Sequence, residues 1–348
     1  MNKMFTYKFF NEFSKELEQI WVRLENNGDF YFFQRYQYAK NLVSNFNVKS
    51  LIIVVVYKKN IPIAIFPLEL KNYKKIKVLQ WLGTNHSDYC GPLISKDNVI
   101  PEEHFKLTWK NITQAIKGFD IIILNKQPEY INSIINPFVQ FLSNDYHSKV
   151  HQIHIMNDNE DYLFDLQNKK FSSELKRTKK KLFKEHKVKF CNNLLLDQNN
   201  LIEKIITKKI SLLKKNKLSH SINENFIIFF NNLSKFYPKK VFANTLEINN
   251  EIIAANIGII DNQRYYYLLP VILSEKFNSY SPGKILINEI INWSKKKELK
   301  IFDFGIGEEV YKKYWSNSTM KIFRCIDFKG IRGLFLYFCL KIYFRFRF

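Results

Sequence analysis

One order of strand and helix patterns occurs twice along this chain, and it limits the folds that the chain can form. In each half, β-branched and aromatic runs separated by short polar turns predict a meander of antiparallel strands, and a helical pattern and one more buried strand follow. The first meander begins with LIIVVVYKKNIPIAIFPLEL and the second with VFANTLEI and EIIAANIGII. This duplication predicts an α/β (α+β) protein of two tandem domains, each a mixed, mostly antiparallel sheet flanked by helices.

The boundary between the two copies lies where the pattern restarts, because no linker rich in Pro, Gly or Ser marks it. We predict an N-terminal domain at 1–157, a C-terminal domain at 158–330 and a basic aromatic tail at 331–348. A chain of 348 residues is long enough for two domains of ordinary size, and its hydrophobic fraction of 46% indicates a sizeable core.

The charge of the chain favours polyanionic partners. Its formal net charge is +22, which suits nucleotide cofactors, anionic lipids or RNA. The abundance of Lys, Asn, Ile, Phe and Tyr is also typical of an AT-rich genome, so charge alone does not identify the partner. The four cysteines are widely spaced without a CxxC pair, and the first residues predict an amphipathic helix rather than an export signal. We therefore expect a reducing, cytoplasmic location.

The tail GIRGLFLYFCLKIYFRFRF has the longest apolar run, which extends from Leu334 to Leu340 and ends at Lys341. This run is too short to span a membrane. Its alternation of aromatic and basic residues suits an interfacial segment, and a last helix or strand packed on the domain is the other interpretation. Peripheral contact with the inner face of a membrane is thus one expectation.

One helix start has the composition of an anion site. Ser281 can cap the helix, Pro282 suits its first position, and Gly283 leaves room for a group to approach the backbone. The N–H groups and the dipole at such a start attract phosphate, and Lys284 adds a positive charge. A purely structural helix start is the alternative, but the position after a meander and before a buried strand favours binding.

The segment 280–315, YSPGKILINEIINWSKKKELKIFDFGIGEEVYKKYW, resembles the signature of the GNAT-like acyltransferases with a BioF2-like acetyltransferase domain, a family described as cellulose-biosynthesis-associated. SDYCGPL at 87–93 and the segment 162–190 add weaker matches. The resemblance implies two tandem GNAT-like halves, distantly related to the FemABX transferases of peptidoglycan peptides. It also implies an acetyl-CoA or other acyl-CoA donor, with its pyrophosphate at residues 281–284.

Acyl transfer from a thioester to an amine needs a base, a group that polarises the carbonyl, and an acid for the leaving thiolate. Asp303 ends the strand KIFDFG, and two glycines then turn the chain so that Glu308 and Tyr311 lie at the mouth of the sheet. We predict a catalytic set of Asp303, Glu308 as base and Tyr311 as acid, with backbone N–H groups of the last meander strand polarising the carbonyl. In a helix that begins near Glu308, Lys312 shares its face and becomes a substrate-binding candidate.

Two further segments supply candidates for substrate binding. In the loop before Gly91, Asp88 and Tyr89 could hold the amine and hydroxyls of an acceptor, although an ordinary turn over a buried tyrosine explains the same residues. In the basic run KRTKKKLFKEHK, Arg177 and Lys181 are four residues apart and could act together on phosphates, RNA or a membrane, or the run could be a solvated helix face.

Neither a cysteine nucleophile nor a metal is predicted. Cys90 lacks a His or acidic partner at a recognisable spacing, so we expect a buried thiol. His151 and His154 point to opposite faces of a strand, and no third ligand is evident.

The sequence thus favours an N-acyltransferase that moves an acyl group from acyl-CoA to an amine of a sugar, glycolipid or envelope-polysaccharide precursor. Two alternatives stay open. One is an aminoacyl-tRNA-dependent transferase of the FemABX type, and the other is a non-catalytic protein that binds at a membrane surface.

Overall fold

The computed structural model describes residues 4–97, 100–156, 162–164, 166, 168–195, 199–216 and 222–345. Contacts group the chain into two compact units, one of Met1–Ser148 with Lys321–Phe348 and one of Lys149–Met320. This grouping differs from the predicted division in that the last residues, including the tail, return to the first unit. They return because the final strand pairs with a strand of that unit.

The elements that begin before residue 148 alternate between short helices and strands. The strands are β1 (Phe5–Phe10), β2 (Gly28–Asp29), β3 (Leu51–Lys58), β4 (Ile61–Tyr73), β5 (Ile76–Trp81), β6 (Leu93–Ser95), β7 (Ile121–Pro128), β8 (Tyr130–Ile131), β9 (Ile134–Ile135) and β10 (Asn144–His154). The helices are α1 (Lys15–Asn27), α2 (Tyr36–Asn45), α3 (Glu102–Ala115) and α4 (Pro137–Phe141).

The elements that follow carry the second meander and the end of the chain. The strands are β11 (Val188–Leu194), β12 (Val241–Ile248), β13 (Glu251–Asp261), β14 (Arg264–Ile272), β15 (Ile301–Ile306) and β16 (Ser318–Phe328). The helices are α5 (Lys169–Glu185), α6 (Asn199–Lys215), α7 (Asn225–Phe236), α8 (Pro282–Lys296), α9 (Val310–Trp315) and α10 (Gly330–Arg345).

Each unit has a mixed sheet with one parallel pair. In the first unit the strand order is β1-β3-β4-β5-β7-β16, and only β5 and β7 run parallel. In the second unit the order is β10-β15-β14-β13-β12-β11, and only β14 and β15 run parallel. The parallel pair follows from a helix that crosses over between the two strands, α3 in the first unit and α8 in the second. The predicted fold class is therefore confirmed.

Buried apolar side chains hold the helices and strands of each unit together. In the first unit the ring of Phe138 is met edge-on by four aromatic rings at centroid distances of 4.9 to 5.0 Å: Phe66, Trp81, Phe105 and Trp109. In the second unit α8 contacts β12, β13 and β14. Its buried face carries Ile285, Leu286, Ile290 and Ile291, whose spacing forms one helical stripe.

Two predicted elements were wrong. The sequence predicts one helix from about Glu129 to Leu142, but these residues form the β8–β9 hairpin and the five-residue helix α4, because Asn132 has a positive φ of 51° and Pro137 starts a new helix that Asn136 caps. The N-terminal segment forms β1 before α1 begins. Among the described helices, none combines the length and the apolarity needed to cross a bilayer.

Candidate active site

The start of α8 has an unusual backbone. Ser281 lies in the left-handed region with φ 51° and ψ 56°, and Pro282 takes the first helical position. The Ser281 carbonyl accepts hydrogen bonds from the N–H groups of Lys284 (3.0 Å) and Ile285 (3.2 Å). A non-glycine residue in this conformation is strained, and such strain often occurs at functional sites.

A cavity opens beside this helix start. It encloses about 1070 Å³ of empty space, part of it open to solvent, and most of its exposed wall is apolar. The wall is formed by residues of α6, β13, β14, α8 and α9 and of the segment before α8: Lys208, Leu212, Ala255, Tyr267, Pro270, Val271, Ile272, Glu275, Asn278, Gly283, Lys284, Leu286, Ile287 and Tyr311. The fold thus brings Gly283 and Lys284, predicted to bind a cofactor, together with Tyr311, predicted to be catalytic.

An irregularity between β13 and β14 shapes one wall of the cavity. The register shifts between Ala255 and Ile257, and Leu269 on the opposite strand has a left-handed φ of 45°. The Asn256 side chain donates to the carbonyls of Ile257 (2.9 Å) and Leu268, which joins the two strands beside the irregularity. Pro270 and Val271, which follow the irregularity in β14, line the cavity.

Tyr311 is held on the short helix α9 with its ring against Phe304, at a centroid distance of 6.2 Å. Burial, and secondarily the nearby Glu309 carboxylate, raises the pKa of Tyr311 well above its usual range. The phenol is protonated at neutral pH, as that of an ordinary tyrosine is, and the raised pKa makes it a weaker acid. Burial raises the pKa of Tyr267, another residue of the cavity wall, in the same direction.

Asp303 has the contacts of a structural ion pair. Its side chain is fully buried, and its Oδ2 accepts from Arg264 Nη1 at 2.6 Å and from Gln152 Nε2 at 3.0 Å. Its Oδ1 accepts from the N–H of Gly305 at 2.8 Å, which stabilises the turn after β15. These contacts link β14, β15 and β10. The predicted catalytic role of Asp303 stays a prediction.

The turn after β15 differs in detail from the expected helix. Helix α9 begins at Val310 rather than near Glu308, and Lys312 pairs with Glu309 at 2.8 Å. The Lys312 ammonium is buried and also donates to the carbonyl of Ile306 at 3.1 Å. Glu308 is more exposed, and its carboxylate lies 3.5 Å from the ammonium of Lys149. Tyr311 is the one predicted catalytic residue among the described residues that line the cavity.

No sequence pattern pointed to the lysines that α6 contributes. Lys208 lines the cavity, and Lys209 Nζ lies 3.4 Å from the carbonyl oxygen of Pro270 in the bulged strand. Desolvation by burial lowers the pKa of Lys209. In a chain with 54 Lys and Arg residues, nothing in the pattern distinguishes these two from solvated lysines.

The basic helix α5 flanks the approach to α8. Lys181 Nζ lies 5.6 Å from the ring centroid of Tyr280, the residue just before Ser281, and Lys284 Nζ lies 5.2 Å from that of Phe171. Arg177 and Lys181 are exposed to solvent.

Asp88 and Tyr89 belong to the first unit. Tyr89 is fully buried, with its ring 4.6 Å from that of Tyr31, and its carbonyl accepts from Gln34 Nε2 at 2.9 Å. Asp88 is half-buried. Substrate binding by these two residues stays a prediction, and the contacts of Tyr89 are those of a core residue.

The cysteine prediction is confirmed for Cys90. It is buried, and burial raises the pKa of its thiol to about 12, so that the nucleophilic thiolate is rare at neutral pH. His151 Nδ1 lies 2.9 Å from Ser316 Oγ. Within the part of the chain that the structure describes, no three His, Cys, Asp or Glu side chains cluster as a metal site requires.

Comparison with known proteins decides the type of fold. Residues 169–313, which include α5, α8 and the turn to α9, match the family model described as an acetyltransferase (GNAT) domain. This part of the chain is GNAT-like. The GNAT-like resemblance predicted from the sequence is thereby confirmed. No curated protein matched the sequence.

Solved structures share the fold over nearly the whole chain. FemX is 10% identical with a TM-score of 0.57, over 91% of this chain and 96% of that one. L-PGS from Bacillus licheniformis is 12% identical with a TM-score of 0.55, over 92% and 95%. The C-terminal domain of a putative lysylphosphatidylglycerol synthetase from Agrobacterium fabrum is 9% identical with a TM-score of 0.53, over 92% and 94%. At these identities the likeness shows the fold.

Proposed function

We propose that this protein is an N-acyltransferase that moves an acetyl or longer acyl group from acyl-CoA to an amine of a sugar, glycolipid or envelope-polysaccharide precursor. The observation that carries the proposal is one cavity that joins the start of α8 to the side chain of Tyr311. The match of 169–313 to an acetyltransferase domain supports the same reaction class.

The cavity has the parts that an acyl-CoA needs. The pyrophosphate would lie at Ser281 to Lys284, where the helix dipole and the Lys284 ammonium favour an anion and Gly283 has no side chain to exclude it. The apolar wall from β14 and α8 would cover the pantetheine and acyl groups. The exposed cations of α5, Arg177 and Lys181, lie where they could bind a further phosphate or the acceptor.

The proposed reaction is a direct displacement at the thioester carbonyl. The amine nitrogen forms a bond to the carbonyl carbon, the bond from that carbon to sulfur breaks, and the sulfur leaves with the electron pair. Backbone N–H groups at the β14 bulge would polarise the carbonyl oxygen. Tyr311 would donate its proton to the thiolate, the new amide nitrogen would release its extra proton to solvent, and Tyr311 would regain one from solvent.

Glu308 is the proposed base that deprotonates the ammonium of the acceptor, so that the free amine can attack. Support comes from its position three residues before Tyr311 and from its exposed carboxylate, which lies 3.5 Å from the Lys149 ammonium. A Glu308→Gln variant that folds normally should lose at least about tenfold in kcat, since general-base catalysis contributes about a hundredfold or more. A smaller loss would remove Glu308 from this role.

Calorimetric titration with acetyl-CoA and CoA tests the proposed function. The wild type should bind both, and Gly283→Asp should abolish binding. A Cβ at Gly283 would come within 3.2 Å of Ile272 Cδ1, a flexible methyl that can shift, and a carboxylate suits a helix start. The variant should therefore fold while it repels phosphate. Asn225→Asp, which adds the same charge at the start of α7, is the matched control and should bind like the wild type.

A second donor class is favoured by one observation, the row of exposed cations on α5. A long polyanion such as an aminoacyl-tRNA would contact more of this row than one CoA molecule could. In that case the wild type would bind tRNA with a strong salt dependence and would not bind CoA. Absence of CoA binding together with absence of RNA binding would leave the non-catalytic alternative.

A further inference from the structure

Helix α10 is apolar on both of its faces. One face packs on the first unit, where Leu336, Tyr337, Leu340 and Phe344 contact Val78, Ile121 and Ile326. The opposite face is open to solvent and carries an apolar stripe of four residues with these exposed fractions: Ile331 89%, Phe335 69%, Phe338 57% and Ile342 59%.

The four residues of the stripe form one continuous surface. Their spacing of four, three and four places them on one side of a helix, within about 60° of one another. Single exposed apolar residues are ordinary, whereas a continuous patch of large side chains marks a surface that binds another body.

Polar contacts fix the orientation of the stripe. The Arg332 guanidinium donates to the carbonyl of Lys75 and lies 3.8 Å from an oxygen of Asp120 at the first turn of α10. The Lys341 ammonium pairs with Asp145 at 2.7 Å near the other end. The helix therefore cannot roll to bury the stripe without breaking these bonds and the packed face.

Cations surround the first turn of the helix. The contact of Arg332 brings the turn that carries Lys74 and Lys75 beside α10. Lys329 Nζ donates to the carbonyl of Ile116 at 2.8 Å, which brings Lys117 to the same end. These lysine residues and Arg332 are exposed, and the acidic residues nearby are Asp120 and Asp327. The apolar stripe is thus flanked by a net positive charge.

We propose that α10 docks this protein on the surface of an anionic lipid bilayer. The helix lies parallel to the surface, the stripe enters the boundary between headgroups and acyl chains, and the flanking cations contact lipid phosphates. With 16 residues it is about 24 Å long, which suits a helix in the plane of the surface. Charge favours a lipid surface over a second copy of this chain, because two copies would bring their cations together. The proposal is independent of the catalytic activity.

Vesicle flotation tests the proposal with the full chain. The wild type should float with phosphatidylcholine vesicles that contain about a third phosphatidylglycerol, should bind pure phosphatidylcholine weakly, and should be partly released by salt. A variant with all four stripe residues replaced should bind the anionic vesicles about a hundredfold more weakly, since each of these side chains buries apolar area in the bilayer. Its substitutions are Ile331→Ser, Phe335→Ser, Phe338→Ser and Ile342→Ser. The matched control removes four other exposed apolar side chains, Ile61→Ser, Leu107→Ser, Ile228→Ser and Phe236→Ser, and should bind like the wild type.

A probe on the unmodified helix keeps the test valid if the serine variant fails to fold. Cys339 on α10 is exposed, whereas Cys90, Cys191 and Cys325 are buried. A polarity-sensitive fluorophore on Cys339 should shift to the blue when anionic vesicles are added.

Three results would overturn the proposal. One is a wild type that stays with the solvent fraction, with no shift of the Cys339 probe. Another is a control variant that loses binding as much as the stripe variant does. The third is a wild-type dimer in vesicle-free solution that becomes a monomer in the stripe variant, which would make the stripe an interface between copies.

Discussion

At the scale of single residues, Tyr311 is the side chain on which the proposed chemistry depends most. Its proposed role is to donate a proton to the leaving thiolate, the acid step that the reaction needs. Tyr311→Phe keeps the ring and removes the proton. It should lower kcat about a hundredfold and leave the KM for acetyl-CoA nearly unchanged, measured by release of the CoA thiol with an accepted amine. A rise in KM alone, with kcat retained, would assign Tyr311 to binding.

His147 should make the stability of the first unit depend on pH. Burial, and then the charges of Arg324 and Lys126, lower its pKa from 6.5 to about 4. Between these two pH values the His147 imidazole is protonated in the unfolded chain and stays neutral in the folded chain. The free energy of unfolding therefore falls as the pH drops from 6.5 towards 4. Above pH 6.5 both states are neutral and the effect is absent.

Urea unfolding across this pH range checks the effect. In His147→Gln the urea concentration at the midpoint of unfolding should fall less between pH 6.5 and 4 than in the wild type. In His154→Gln, at an exposed position, this midpoint should fall as much as in the wild type. Burial lowers the pKa of His86 to about 4 as well, so part of the fall should persist in the His147 variant. An unchanged pH profile in His147→Gln would contradict the assignment.

At the scale of elements, the pair of Arg264 and Asp303 stabilises the parallel strands β14 and β15. Both side chains are buried, so removal of one charge leaves the other without its partner. Asp303→Asn should lower the free energy of unfolding by about 3 kcal/mol, measured with urea. A variant that keeps wild-type stability but loses activity would instead support the catalytic role predicted from the sequence.

The helices and strands also show where sequence patterns are enough to predict secondary structure. The apolar stripe of α8 and the β-branched runs of the meanders predicted their elements, because burial imposes a period of 3.6 or 2 on a chain. Residues 129–142 were assigned wrongly, because the positive φ of Asn132 and the cap at Asn136 outweighed a helical pattern. The start of α9 was misplaced by two residues, a usual error at helix ends.

At the scale of the whole molecule, the duplicated order predicted the fold class but not the return of 321–348 to the first unit. That return depends on the pairing of β16 with β7, a contact between residues about two hundred positions apart that no local pattern encodes. Likewise Gly283 and Tyr311 could be proposed from the sequence, but their common cavity depends on the bulge in β14 and on α6. Lys208 and Lys209 became candidates only through that packing.

Hydrogen–deuterium exchange of the full chain, with and without saturating CoA, tests the proposed acyl-CoA site. We expect slower exchange with CoA at 281–287 and at 268–272, the two segments that form the helix start and the bulged strand of the cavity, and no change in α10. Unchanged exchange at both segments, or protection confined to the basic helix α5, would contradict an acyl-CoA site at the start of α8.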